Sequence, residues 1–261
     1  MEVHAHTHTA RKKWTHYFWE FLMLFLAVFC GFLAEYELEH KIEKDRANEL
    51  AKSFYHELKS DSATAVIKVQ NRIKQEEAIK FLIKYFKDSS LTSISKEFAV
   101  NFLYGINFRT PSLFEPRTII LEQLKNSGSL RYFKNDELQE LIGDLTVSIK
   151  NIYDRQELES QNRALYINPI IINHYDYDFD ARLKEGGKSV FEGVNKYEAS
   201  NEIIPFYWKG AKKFDRESII NILSFYEAAV ISSTRITFIQ KYMELNAELL
   251  NELRNKYHIN D

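Results

Sequence analysis

Two groups of side chains in this chain have the types and spacing of metal ligands. His4, His6 and His8 alternate in the string His-Ala-His-Thr-His, so an extended backbone projects all three imidazoles to one side. Neutral imidazole is the commonest ligand for zinc, nickel or copper, and His16 would complete a set of four. A site with fixed geometry also needs partners that orient the rings, which a short polar tail does not supply, so a solvated tail is the plainer reading. In the second group His174, Asp176, Asp178 and Asp180 alternate with Tyr175, Tyr177 and Phe179. A strand here would set the four polar groups on one face, where three carboxylates suit a hard cation. The helix–loop–helix calcium pattern is not met, because Asp176 as first ligand requires a glycine at position 181 and a glutamate at 187, which hold Ala181 and Gly187. The plainer reading is an acidic loop with its aromatic side against the rest of the protein.

Other chemistry is thinly represented. Glu122, Glu137 and Glu140 invite comparison with bundles that hold paired metals, but those require a Glu-x-x-His motif on each of two helices, and no such pair is present. Neither a phosphate-cradling glycine loop nor a G-x-S-x-G or H-E-x-x-H motif occurs. Cys30 is the only cysteine, which excludes an intrachain disulfide or a cysteine-based zinc site. The net charge of −2 and a pI near 6.5 argue against a nucleic-acid binder. No catalytic activity, cofactor or nucleic-acid partner is expected.

The elements that must carry these residues are helical, and the first is apolar on every side. Phe21, Leu22, Met23, Leu24, Phe25, Leu26, Ala27, Val28, Phe29, Cys30, Gly31, Phe32, Leu33 and Ala34 form an unbroken run without a polar side chain. Alone it is short for a bilayer core of ~30 Å. Extended back through Glu20, Trp19 and Phe18 to Tyr17, it reaches roughly 27 Å as a helix. Trp14, Tyr17 and Trp19 at one end and Tyr36 at the other suit membrane interfaces, and a surface helix would show a stripe instead. We read residues 14–36 as a transmembrane helix, with a buried soluble helix as the alternative. A cleaved signal peptide fits less well, since Phe32 stands where a small residue is wanted. Glu20 either reaches the headgroups, stays protonated or faces a neighbouring helix. Arg11, Lys12 and Lys13 precede the run, and Lys41, Lys44 and Arg46 follow it among acidic residues. The contiguous upstream triplet favours a cytoplasmic tail (1–13) and a periplasmic domain (37–261) in a bacterial inner membrane.

That domain is expected to be an all-α bundle of long helices, because Gly (8) and Pro (4) are scarce and Pro111 is the first proline. Residues 35–87 contain neither, apart from a weak point at Ser60-Asp61-Ser62 where the helix bends or breaks. Ser95 caps a short helix to Tyr104, and residues 105–115 form a loop. Pro116 opens a helix that Gly128 stops. Asn135 caps a long helix from Asp136 to about Ile167, which Pro169 ends or kinks. Residues 174–214 read as irregular. Asp215 caps a final helix reaching Tyr257, in which Ile222, Tyr226, Ala229, Ser233, Ile236, Gln240, Met243, Ala247 and Leu250 alternate steps of four and three. That spacing is a heptad seam, for an antiparallel helix of the same chain or for a second copy.

The amino-terminal string resembles a domain-of-unknown-function group of single-pass membrane proteins from Bacteroidota. The matching positions are Met1–His4, the basic Arg11–Lys13, Glu20–Val28, Gly31–Glu35 and Glu39–His40, with a looser likeness over Leu121–Leu138. The resemblance implies an inner-membrane anchor and carries no activity. Together these features point to a membrane-anchored interaction or scaffold protein, bound to the bilayer and to an envelope protein or its own second copy. The alternative is a ligand- or metal-binding sensory module with a separate output partner.

Overall fold

The computed structural model describes residues 14–185, 189–210 and 214–259, of which the described part is helical without strands. The histidine tail, the Arg11–Lys13 triplet and the Gly186-Gly187 pair lie outside the described residues. The chain divides into two compact units, 1–50 and 51–261.

In the first unit the start of helix α1 (Trp14–Asp88) carries the apolar run. It is long and apolar enough to cross a membrane, and none of its apolar window is buried. Phe21, Phe25 and Phe29 stack along one side at 5.9–6.3 Å between ring centroids. Glu20 lies one turn from His16, with 3.2 Å between carboxylate and imidazole. The helical run Arg216–Tyr257 also meets the length and composition test, but a third of its apolar window is buried.

The second unit is built on the rest of α1. No break occurs at Ser60-Asp61-Ser62: Thr64 Oγ1 donates to the Ser60 carbonyl, and Asp61 turns inward. Helix α2 (Lys96–Phe102) starts at Ser95, whose side chain accepts from the Phe98 N–H, and widens into a π-helical turn over Leu103–Asn107. A short 3₁₀ turn spans Thr110–Ser112.

Helix α3 (Ile119–Asn126) begins three residues later than Pro116 predicts. The reason is tertiary. Asp61 takes the Arg117 N–H, and the Glu57 carboxylate accepts from the Ile120 and Leu121 N–H groups, so α1 caps α3 from outside. Gly128, at φ 67°, turns the chain after it.

Burial first, and the neighbouring Glu57 later, keep the Asp61 proton on up to about 6, against 3.8 ordinarily; the Arg117 amide and Tyr242 hydroxyl pull the other way. A folded state that holds its proton longer than the unfolded chain loses stability as pH rises between those values. Asp61 therefore costs on the order of 2–3 kcal/mol at neutral pH. Replacing it (Asp61→Asn) is expected to flatten the fall in stability between pH 4 and 6 and to leave the protein at least as stable at pH 7. Urea unfolding of both proteins at stepped pH reads this directly, and equal slopes would exclude Asp61 as the source.

Asn135 caps helix α4 (Asp136–Asn162) by accepting from Leu138 N–H, as its position predicts. A π-helical turn over Arg163–Ile167 leads into α5 (Asn168–His174), with Pro169 in its first turn. Proline has no N–H and its ring crowds the carbonyl four residues back, so the helix widens one turn before it.

The stretch 174–214 is irregular only in part, over residues 200–210. It holds α6 (Tyr177–Glu185) and α7 (Val190–Ala199), the latter capped by Ser189. Two-residue alternation misleads here, because the buried members Tyr175, Phe179 and Leu183 recur every four residues while Tyr177 is exposed. The two helices approach so closely that a Cβ on Gly193 would meet the Leu183 carbonyl oxygen at 2.3 Å.

Asp215 caps helix α8 (Arg216–Phe225) through the Ser218 N–H. The winding then changes to π over Tyr226–Ser232 and Thr234–Ile239 before α9 (Gln240–Tyr257). Phe86, Phe98, Phe102, Tyr175, Phe206 and Trp208 pack ring on ring at the core of α1, α2 and the α5–α8 region.

Candidate functional site

The second ligand group does not assemble. With 174–180 running into a helix, the common strand face is lost. Asp176 is fully buried, and its Oδ2 accepts from Arg182 (3.0 Å) and the Tyr207 N–H (3.2 Å), while Oδ1 lies 3.2 Å from Lys209 Nζ. Asp180 takes the Tyr175 hydroxyl, and burial raises its pKa despite that bond. Asp178 points to solvent, 3.9 Å from Lys209 at best. His174 stacks on Trp208 at 4.9 Å and meets Phe214 edge-on, its Nδ1 at 2.9 Å from the Lys209 carbonyl. The metal reading of His174, Asp176, Asp178 and Asp180 is therefore corrected: cations and donors already occupy the carboxylates. Among the described residues no three His, Cys, Asp or Glu side chains gather as metal ligands.

The heptad seam is also corrected. Of its nine positions only Tyr226 is buried; Ala229, Ile236 and Ala247 are exposed, and Ile222, Ser233, Gln240, Met243 and Leu250 are half-buried. The buried stripe instead runs Leu223, Tyr226, Val230, Thr234, Ile239, Tyr242, Asn246, Leu249 and Leu253. Its step of five from Thr234 to Ile239 falls within the π winding. An i→i+5 turn admits an extra residue and rotates everything beyond it, so a strict heptad cannot stay on one face. The antiparallel partner in the chain exists all the same, since α4 packs along α9.

What the structure assembles in place of these is a polar layer where the π turns meet α1 and α4. Arg72 and Glu159 form an ion pair at 3.0 Å, both buried to 1 % exposure or less. Arg235, in the second terminal π turn, grips Glu76 with two bonds of 2.6 and 2.8 Å. Arg155 on α4 donates to the Ala229 carbonyl and, at 3.1 Å, to Thr234 Oγ1, so it serves backbone that the π winding has left open. Its pKa is lowered, mainly by burial. Arg163 reaches the Asn107 carbonyl at 2.9 Å, at the end of the π turn that follows α2. Buried Gln156 pairs with both backbone groups of Phe114.

The layer is not fully satisfied. Arg72 Nε and Nη1 and Gln75 Oε1 have no hydrogen-bond partner among the described residues. The Tyr226 pKa rises, through burial first and then Glu159. With guanidinium groups and amides but no histidine or cysteine, the layer suits binding and positioning rather than nucleophilic chemistry.

The sequence held a signal for this layer. On α4 the inward stripe Leu145, Ile149, Ile152 passes without change of period into Gln156, Glu159 and Arg163. On α1 Asp61, Arg72, Gln75 and Glu76 share a stripe with Leu58, Ile79, Leu82 and Phe86. Polar residues at apolar positions mark a buried network, provided the helix phase is known.

A third feature is a surface. Val147, Leu158, Leu165 and Tyr166, on α4 and the π turn after it, and Phe225 and Ile236 on the terminal helical run are all exposed. Val147 and Phe238 line the same open groove, Arg155 lies over the Phe238 ring, and Tyr166 meets Phe225 edge-on, so apolar side chains of the two helical runs meet at both places. No family model, curated protein or solved structure matches this chain.

Proposed function

We propose that this chain is a membrane-anchored helical interaction protein of the bacterial envelope, without catalytic activity. In this reading residues 14–36 span the inner membrane, the tail is cytoplasmic and the helical domain is periplasmic. The observation that carries it is the set of exposed apolar side chains on α4 and the terminal helical run, in a chain that also bears an apolar helix with none of its apolar window buried. Large exposed apolar strips with polar surroundings are where proteins meet partners.

A photo-crosslinking residue at Ile236 in membranes of intact cells tests the interaction. A discrete adduct that disappears when Leu158→Asp is added supports the reading. Equal labelling at Ile236 and at exposed polar Glu244 would overturn it. Orientation is tested with Asn255→Cys in a Cys30→Ala background, using an impermeant thiol reagent on spheroplasts. Labelling without lysis is expected.

A second reading, a ligand-responsive module acting through its anchor, is favoured by the polar cleft between α1 and α7. That cleft is lined by Asn71, Lys74, Gln75, Ser112 and Asn195 among aromatic rings.

A further inference from the structure

We propose that the groove between α4 and the terminal helical run receives a basic amphipathic helix of a partner protein. The partner's apolar ridge lies in the groove, and its lysines or arginines lie over the acidic end. The proposal rests on the interaction reading and deepens it by naming the partner's chemistry.

The groove holds about 350 Å³ between the two helical runs, and Val147, Phe238 and Leu245 make its wall apolar. A cavity of ~150 Å³ accommodates benzene, so the space takes roughly two aliphatic side chains rather than a whole ligand. Two packed helices leave a furrow between them, and the element that seats successive side chains along a furrow is a third helix. Strand addition has no starting point, because the described residues contain no sheet edge. The wall formed by Thr237 and Phe238 belongs to the second terminal π winding, a distortion that recurs at functional sites.

Charge selects the partner. Arg155 meets Thr234 at 3.1 Å, Asp144 shares the groove with Leu245, and the rings of Phe133 and Tyr257 lie 5.7 Å apart. The two runs are therefore antiparallel and keep one register to the end of α9. Glu140 and Glu137 precede Asp144 at helical spacing on α4, and Glu248 and Glu252 follow Lys241 and Leu245 at helical spacing on α9. In that register Glu140 comes level with Glu248, and Glu137 with Glu252. Neither these four nor Asp144 form an ion pair among the described residues, and all but half-buried Glu252 are exposed. Lys241, the cation of the lining, is engaged by Glu244 at 3.7 Å. At the other end Arg155 lies over the Phe238 ring, so the acidic excess is confined to one end. A second copy laid on this face brings no cluster of cations to meet these carboxylates. Basic residues flanking an apolar ridge do, each adding a little affinity and together steering the approach.

The test uses the full chain in phosphatidylcholine nanodiscs, with empty discs as baseline. The probe is a fluorescent peptide of about 18 residues, roughly 27 Å as a helix, with leucines at helical spacing and lysines at one end. One control peptide carries glutamates for the lysines, the other serines for the leucines. By anisotropy the lysine–leucine peptide is expected to bind, and each control to bind at least roughly tenfold more weakly. Combining Glu137→Gln, Glu140→Gln, Glu248→Gln and Glu252→Gln should weaken the lysine–leucine peptide roughly tenfold, and raising the ionic strength should act in the same direction. Changing the same four positions Glu→Lys should transfer the preference to the glutamate peptide, a gain that a misfolded variant would not show. Equal affinity for the lysine and glutamate peptides, or unchanged affinity in the glutamine variant, would overturn the proposal. So would sedimentation showing a dimer of the wild-type chain that Val147→Asp dissolves, because the face would then belong to a second copy. A cellular adduct at Ile236 that persists in the glutamine variant would keep the interaction role and overturn this partner class alone.

Discussion

Replacing Arg72 with methionine is expected to lower the unfolding free energy by about 3–5 kcal/mol. The loss comes less from the ion pair than from what is left behind. Glu159 would remain at 1 % exposure with its guanidinium partner gone, and an uncompensated carboxylate in that environment is costly. The corollary separates this account from a simple packing defect. Converting both residues, Arg72→Met with Glu159→Leu, should recover most of the stability, because two buried charges also carry a desolvation penalty. Urea unfolding of the four proteins in the cycle measures the coupling. Additive losses would show that the pair does not interact as its 3.0 Å geometry implies. The unpartnered Nε and Nη1 of Arg72 favour a large recovery, since the double variant removes those buried donors as well.

Truncating Phe98 to alanine is expected to cost a similar amount, about 3–5 kcal/mol. Phe98 is fully buried and touches Tyr85, Phe86, Phe102, Phe206 and Trp208, at centroid distances from 4.6 to 6.0 Å. Rigid rings on several elements cannot collapse into the space vacated, so the cavity persists. Trp208 lies 5.7 Å from Phe98 and provides the readout. With Trp14 and Trp19 replaced by phenylalanine, emission from Trp208 should shift to the red and unfold at lower urea. An unchanged midpoint would mean that the aromatic cluster repacks around the gap.

Much of the helical architecture was legible without coordinates because it rests on local chemistry. Ser95, Asn135 and Asp215 each cap the helix that their position announces, since a cap needs only a side-chain oxygen and the amide three residues on. The apolar run before Ala34 reads equally well, because bilayer-spanning capacity is a property of composition and length.

Phase and pairing were another matter. The terminal helix has a heptad in its sequence, yet the winding changes to π where Arg155 and Arg235 hold the backbone and side chains from other helices. No local pattern records a turn that is supported from 74 to 159 residues away. The same holds for α3, whose start is set by carboxylates on α1 rather than by Pro116. The alternating aspartates misled because alternation describes a sequence, whereas burial of Phe179 and Leu183 selected the helical period.

By itself, then, the sequence determined most of the helical segments, the caps at Ser95, Asn135 and Asp215, and an apolar run long enough for a bilayer, because those depend on residues within one turn or one span; it did not show α6 and α7. Only the tertiary structure decided which faces turn inward, and so brought Arg72 to Glu159 and Arg235 to Glu76. Those placements depend on the rotation of whole helices about their axes, which a single inserted π turn is enough to reset.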